Sequence, residues 1–573
     1  MLNRPIGTSS RRPPAERPVP GEADIAKSRA ERRSWGPVFR DLSLLVMLTA
    51  AMVAVLTFGD YGITNDEEVQ NVYGIKLLAF YTSLFDDQSA FTYLDLFRYG
   101  GLFDLVAAVL NLISPFGEYE TRHLLGGLVG VLGVAGAWRL GRHLGGERVG
   151  FLAMLLLLLT PAYYGHSFNN PKDAPFAAAM VWALFYMCRT ISVLPFPPRR
   201  LLVKLGLTVG LALGIRVAAV LVGPYLLLGI GLFLLGEWRR DKDWAEVRGH
   251  LKASVGRLLP AALLAYGVMG VFWPWGVMSP GNPFQALRDF SKLPINVDTL
   301  VAGIWVKATH VPRDYLPDYL VVNLPEVVLF GLLTAAGFAI AWGIRRLRHG
   351  PRFPSANEPG DLRRIQLVLV TVAAFFPIAF FIFFTPTAYN GLRHFLFVVP
   401  PLAVLAAIGI DGLWTYLQHA NHRLGRGFAA LLTLVLASQV WVMAQLHPDE
   451  YVYYNMLTGG VKGAEGAYEL DYWGNSLLEA TKDLAEYIAM ENGDKPITRK
   501  YKVAVCGHRL SAAYFFPEYM EFTKKLDEAD FLVSFTQANC HRYFEGRQII
   551  SVDRFGVALS VVKDRRYLKD RTR

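Results

Sequence analysis

The sequence predicts a mainly α, polytopic helical membrane protein with a small α/β domain at its C-terminal end. Hydrophobic residues make up 53% of the 573-residue chain, and they fall in recurring runs of about 18 to 22 residues, the length a helix needs to cross a bilayer. Lys and Arg collect in alternate connections between those runs. After residue 446 the apolar runs shorten and stretches of period two appear, which is the pattern of strands rather than spans.

Met1 to Arg40 is rich in Pro and Arg, including Arg11-Arg12-Pro13-Pro14 and Arg32-Arg33. It has no small-residue cleavage site after a short apolar core, so residues 1–40 read as a disordered basic cytoplasmic tail, not a cleaved signal peptide. Apolar runs then follow at 42–59, 122–140, 148–165, 174–193, 201–215, 217–236, 257–276, 322–343, 365–385, 394–414 and 427–446, about eleven spans of about 20 residues each. An odd number puts the two termini on opposite sides of the membrane. The connections holding Arg139/Arg142/Arg148, Arg199/Arg200/Lys204, Arg239/Arg240/Lys242, Arg345/Arg346/Arg348 and Arg423/Arg426 all fall on the tail's side, as the positive-inside rule requires. The net charge of +10 therefore reports membrane orientation, and no nucleic-acid partner is expected. Residues 41–446 form the transmembrane domain of an inner (plasma) membrane protein, and residues 447–573 form a soluble domain on the external, periplasmic side.

Ionisable residues gather at the mouths of spans on that external side. The stretch Gly59-Asp60-Tyr61-Gly62-Ile63-Thr64-Asn65-Asp66-Glu67-Glu68 follows the first span directly. Charge at a membrane boundary is costly to desolvate and marks a candidate site; a merely solvated acidic loop is the plain alternative, and Asp60 and Glu68 fit it. The rest of the first external loop, 60–121, carries Val69, Val72, Tyr73, Lys76, Leu77 and Phe80 at helical spacing and a second apolar stretch from Gly101 to Ile113. These read as helices lying along the membrane surface, with Tyr73, Tyr81, Tyr93 and Phe97 at interfacial depth. A second external turn, Asn169-Asn170-Pro171-Lys172-Asp173-Ala174-Pro175, sets Asp173 near a helix start, where a carboxylate is favoured by free N–H groups. Asp173 either serves the site or simply caps its helix.

These features together resemble the GT-C superfamily. The Asp-Glu pair opening the first external loop, the two surface helices, the run Arg122-His123-Leu124 entering the second span and the Asn-Pro-Lys-Asp turn recur there in the same order, and so does Tyr389-Asn390-Gly391-Leu392-Arg393-His394-Phe395 before Pro400-Pro401. More narrowly the chain resembles bacterial lipid-carrier-dependent transferases related to protein O-mannosyltransferases and to the lipid A aminoarabinose transferase, over roughly residues 42–415. After the Asp-Glu pair some relatives place a basic residue, where this chain has Glu68, Val69 and Gln70.

The resemblance implies an inverting transfer of a sugar from a polyprenyl-phosphate donor to a hydroxyl on a lipid, glycan or protein acceptor. One base is needed, and Asp66 is the candidate, with Glu67 holding structure around it and Asp173 as a second carboxylate. The leaving group is a phosphate, so a cation that holds it is more useful than a general acid. Arg216, which interrupts an apolar run where the fifth and sixth spans meet, is the first choice; a snorkelling arginine is the alternative. Lys172, Arg393 and His394 follow as phosphate ligands or interface anchors. No cofactor is expected, because the donor lacks the diphosphate that usually brings a metal; magnesium or manganese on Asp66, Glu67 and Asp173 is the alternative. A lipid transporter is the rival class, but it would place its ionisable groups in mid-span within repeated halves, and no such pattern appears.

The C-terminal region opens with two stretches dense in aromatics and acids, His447 to Asn455 and Glu469-Leu470-Asp471-Tyr472-Trp473-Gly474. They read equally as a sugar-gripping surface or a seam docked on the membrane domain. A helix over Leu477 to Ala489, a strand over Lys502 to Cys506 and a strand pair around Ile549 to Val552 and Val557 to Val562 complete the expected domain. Cys188, in a span, reads as inert packing. Cys506 and Cys540 share the external domain, where a bridge would be worth about 3 to 4 kcal/mol if geometry permits.

Overall fold

The computed structural model describes residues 22–291, 295–349, 359–493, 495–537 and 539–570. The first helix, α1 (Glu22–Thr57), starts well before the first span. The tail expected to be disordered to residue 40 is therefore helical over its second half, and residues 1–21 lie outside the described residues. Ala, Glu, Lys and Arg between 22 and 34 are good helix formers, and the span that follows supplies the nucleus they extend.

Among the described residues, nine helices are long and apolar enough to cross a membrane. The pair α5 (Glu147–Leu158) and α6 (Pro161–Asn169) is long and apolar enough only when taken together, and it is bent by 63°, as in a broken span or a re-entrant loop, with Pro161 opening the second piece. The eleventh expected run is α8 (Arg199–Leu213), only 15 residues long. Between α1 and the second span, α4 (Glu118–Gly145), come the two helices expected in the first loop, α2 (Glu67–Thr82) and α3 (Leu102–Asn111). The remaining helices are α7 (Asp173–Ile191), α9 (Val222–Asp241), α10 (Trp244–Phe272), the short α11 (Pro274–Met278), α12 (Asn282–Ser291) and α13 (Tyr315–Asn323), then α14 (Glu326–His349), α15 (Pro359–Phe384), α16 (Val399–Ala420) and α17 (His422–Leu446).

The core lies where α4, α5, α7 and α16 pack, with Ala137, Leu140, Ala153, Leu157, Ala177, Val181, Ala403 and Ala407 fully enclosed. Small residues let helix backbones approach in a setting where lipid offers no hydrophobic drive to pack. At the end of the bundle where α1 stops, the loops close tightly. A Cβ on Gly100 would lie 2.1 Å from the Gly214 carbonyl oxygen, and one on Gly74 would lie 2.3 Å from that of Asp104. Tyr73 is consequently enclosed, its hydroxyl donating to the Tyr99 carbonyl at 3.2 Å. It is not the interfacial ring expected from sequence, because α2 packs on α3 instead of lying alone on the surface.

Residues 447–570 cover this same end. A hairpin of β1 (Asp298–Val301) and β2 (Ile304–Lys307) joins the layer from the membrane domain. The C-terminal sheet has five strands in the order β4-β3-β5-β7-β6, where β3 is Tyr501–Cys506, β4 Met520–Phe522, β5 Phe531–Phe535, β6 Arg547–Arg554 and β7 Val557–Asp564. β3 pairs in parallel with β4 and β5, while β7 runs antiparallel to β5 and β6. The expected helix spans Leu477–Asn492 and buries Leu477, Leu484 and Ile488 against the sheet. Cys506 and Cys540 are bridged, with Cα atoms 6.2 Å apart, and Cys188 is buried and free.

Candidate active site

Asp66 and Glu67 are neighbours in sequence with different surroundings. Glu67 opens α2 and turns inward: its carboxylate accepts from the Thr64 backbone N–H at 2.8 Å and the Thr64 hydroxyl at 3.1 Å, and it meets His123 Nε2 at 3.0 Å. Reaching back three residues, Glu67 satisfies the Thr64 N–H in the turn that precedes the helix. That contact fixes the helix start and leaves Asp66, at the N-cap position, directed the other way. Asp66 remains 41% exposed and pairs with Arg393 at 2.8 Å. Arg393 is buried, its guanidinium between the rings of Tyr389 and Trp473 at 4.7 and 4.8 Å.

The second carboxylate forms the matching pair from the opposite wall. Asp173 is buried at the start of α7 and binds Arg216 at 2.5 Å. It does not cap its own helix. That service falls to Asn170, whose amide oxygen accepts from the Lys172 and Asp173 backbone N–H groups while its NH2 donates to Asp173 at 3.0 Å. Arg216 is not a snorkelling residue, since its charge is turned inward onto Asp173. Lys172 points toward Asp104 at 3.7 Å and lies 4.3 Å over the ring of Tyr99, which Arg216 also faces at 5.7 Å. Burial lowers the Lys172 pKa to about 8, with Asp104 opposing that shift and Arg216 and Arg122 adding to it. His394 packs edge-on against Tyr389 at 4.8 Å.

The rim thus brings Asp66, Asp173, Arg216, Lys172, Arg393 and His394 together through Tyr99, Tyr389 and Trp473, with Glu67 set behind Asp66. Lys172 Nζ, Arg216 Nε and Arg393 Nε are buried and make no hydrogen bond, so each of three cations retains unused donor capacity. Asp66, Glu67 and Asp173 each have a separate basic partner and do not form a shared metal-ligand cluster among the described residues. The group whose ligand atoms do approach within 4.8 Å is Glu237, Glu246 and His250, at the far end of α9, and there Arg240 already binds Glu237 at 3.1 Å.

Several residues named from the sequence had no role assigned at the site. Arg122, in the Arg-His-Leu run, forms a sealed pair with Asp104 at 2.6 Å beneath Lys172. The acid- and aromatic-rich C-terminal stretches are the docking seam. The Trp473 and Tyr472 carbonyls accept from the Asn65 backbone and side chain at 3.3 and 3.4 Å, and the Asn475 amide oxygen accepts from the Gly62 N–H at 2.8 Å. Asp471 anchors the turn that makes these contacts, accepting from the Gly474 and Asn475 N–H groups at 2.8 and 3.0 Å. Glu469 accepts from the Thr299 hydroxyl at 2.6 Å, and burial raises its pKa to about 7. Asp60 and Glu68, expected to be solvated, reach His447 at 3.1 Å and His508 at 3.0 Å across the same seam. The density of acids and rings was visible in the sequence; their partners, hundreds of residues away, were not.

Residues 105–266 match the family described as dolichyl-phosphate-mannose-protein mannosyltransferase. No curated protein shows significant sequence similarity to the chain. Among solved structures, ArnT from Cupriavidus metallidurans in the apo state is 16% identical over 92% of this chain and 98% of its own, with a TM-score of 0.40. The same protein bound to undecaprenyl phosphate gives 16%, 91%, 97% and 0.41. Oligosaccharyltransferase AglB from Archaeoglobus fulgidus, in complex with an inhibitory peptide and a dolichol-phosphate, gives 13%, 88%, 70% and 0.46. The family match falls on the segment that carries Arg122, Lys172, Asp173 and Arg216, within a many-span helical fold. Over that segment the chain is similar to a family of membrane glycosyltransferases.

Proposed function

We propose that the enzyme transfers a sugar from a polyprenyl-phosphate donor to an acceptor hydroxyl, with inversion, on the external face of the inner membrane. The observation that carries this reading is the rim itself: Asp66, 41% exposed, pairs with Arg393, and Lys172, Arg216 and Arg393 each keep a buried donor without a hydrogen bond. Asp66 takes the proton of the acceptor hydroxyl, whose oxygen attacks the anomeric carbon from the side opposite the phosphate. The bond from the anomeric carbon to the phosphate oxygen breaks, and the polyprenyl phosphate leaves with that electron pair. Arg216, Lys172 and Arg393 hold the phosphate charge, Arg in forked geometry and Lys as a point charge. Because the leaving group departs as an anion, no general acid and no metal are required. Tyr99 and Tyr389, partly exposed, give the site aromatic faces that suit a sugar ring.

Mannose as the sugar and a protein hydroxyl as the acceptor are the choices favoured by the family match over residues 105–266. The Cys506–Cys540 bridge supports an oxidising, external compartment for the C-terminal domain. That sidedness also agrees with the basic connections at the other end of the spans.

The test is transfer in liposomes by the purified protein, using a panel of polyprenyl-phosphate sugars with membrane extracts as acceptor and Asp66→Asn as control. Product with inverted anomeric configuration, absent in the control, is expected. Movement of the lipid between leaflets without any sugar transfer would establish the transporter reading instead.

A further inference from the structure

β6 and β7 are joined by two residues, Phe555 and Gly556, with φ of +51° and +79°. A two-residue hairpin turn of this kind wants Asn or Gly at both positions, and a bulky residue in the left-handed region is a conformational outlier. The Phe555 ring does not recover this by burial within its own domain, for it is 41% exposed. It lies 6.1 Å from the ring of Trp441 on α17. Trp441 is 59% exposed, near the end of a membrane-crossing helix, and the same helix leaves Leu424, Leu431, Leu434 and Val440 uncovered by protein. An uncovered apolar face on such a helix meets lipid, and a Trp close to its end sits at the headgroup boundary.

The tip has little freedom to leave that depth. Arg554, the residue before Phe555, turns inward: its Nε donates to the Leu446 carbonyl at the end of α17 at 3.2 Å, and its guanidinium pairs with Asp449 at 2.9 Å and Glu479 at 2.5 Å. One side of the turn is thus tied to the end of the helix, and the other side presents an aromatic ring beside a lipid-facing Trp. A second contact of the soluble layer behaves alike. Met456 and Leu457 are largely exposed, and the Met456 N–H is fixed to Glu326, the first residue of the membrane-crossing α14, at 2.7 Å.

We propose that the β6–β7 tip is a membrane anchor: Phe555 and Trp441 together occupy the boundary between headgroups and acyl chains, and the partner of this surface is the lipid bilayer. The anchor holds the C-terminal domain at a set height over the rim, where its 469–475 stretch supports the Asp66 loop. An apolar ring at the interface contributes through buried apolar area alone, so the binding needs no particular headgroup.

Because Cys188 is buried and Cys506 and Cys540 are bridged, a cysteine placed at 555 is the one accessible thiol. The full chain with Phe555→Cys, carrying an environment-sensitive fluorophore, is reconstituted into phosphatidylcholine vesicles containing lipids with a nitroxide either near the headgroup or near the acyl-chain end. Blue-shifted emission and stronger quenching by the shallow nitroxide are expected, while the same label at Lys525→Cys emits as in water and is not quenched. Water-like, unquenched emission at 555 overturns the proposal, and so does stronger quenching by the deep nitroxide, which would put the ring in the hydrocarbon core. If Phe555→Cys does not fold, Phe555→Trp in vesicles of brominated lipid serves the same end. Loss of more tryptophan fluorescence than in the parent protein supports the anchor, and equal loss overturns it.

Discussion

Among the carboxylate–arginine pairs at this end of the molecule, Asp66 with Arg393 and Asp104 with Arg122 differ most in exposure. They have similar lengths, 2.8 and 2.6 Å, yet Asp66 is 41% exposed while both members of the second pair are 1% exposed. A sealed pair has lost its hydration and depends on its partner, so removing one member strands a charge in a dry place. The half-open pair keeps part of its hydration at Asp66, while Arg393 is buried. What it retains is access: a substrate can reach the carboxylate and compete for the arginine. The comparison separates a foundation from a working pair that no distance distinguishes.

The largest expected effect tests the foundation. Arg122→Ala leaves Asp104 buried without its main partner and should cost about 3 to 5 kcal/mol of stability, seen as loss of folded protein in detergent. A melting temperature near that of the parent would erase the distinction between the pairs. Next, Asp66→Asn is nearly isosteric and keeps an acceptor for Arg393, so turnover should fall by about a hundredfold or more while the protein still folds. If activity survives, the open pair is not the working one.

Arg216→Ala should weaken binding of the free polyprenyl phosphate by about 1.5 to 3 kcal/mol, the range for a hydrogen bond to a charged group, and Arg216→Lys should recover part of it. Unchanged affinity would remove Arg216 from the phosphate site. Glu67→Gln should cost roughly 1 kcal/mol of stability and lower turnover less than Asp66→Asn does, because it keeps acceptor contacts to Thr64 and loses only charge facing His123. Complete loss of transfer in Glu67→Gln would reverse the roles of the two neighbours.

The smallest effect is one of pH. Burial lowers the Lys172 pKa to about 8, so below that pH the side chain is charged before the phosphate arrives. Above it the free enzyme must take up a proton on binding, and affinity should fall by up to about tenfold per pH unit as pH rises through 8. Lys172→Arg, which stays charged, should flatten the profile, and a slope that persists in that variant would exclude Lys172 as its source.

Much of the architecture was legible in the chain. Apolar runs of span length and the placement of Lys and Arg follow from desolvation cost, which acts on each segment separately, so the spans, the two helices of the first loop and the β6–β7 strand pair can be read locally. The boundaries could not. α6 breaks from α5 at 63°, and α1 begins at Glu22, because packing and helix propagation extend or bend what hydropathy outlines. Asp66, Asp173, Lys172, Arg216 and Arg393 stood out as charges at span ends, where a charge without a partner is costly.

Which partner each charge takes was decided only by the tertiary structure. Asp66 joins Arg393 across 327 positions, and Gly62 meets Asn475 across 413, separations over which no local pattern carries information. The same holds for exposure. Asp66 and Glu67 are adjacent carboxylates of similar chemistry, and nothing in their sequence neighbourhood says that one is partly exposed while the other is sealed against His123. By itself the sequence determined where the membrane lies along the chain and where charge collects, since transfer free energy depends on composition. Pairing, burial and the docking of the C-terminal domain needed the folded molecule, because a hydrogen bond or an ion pair depends on position within a fraction of an ångström, and position is set by everything packed around it.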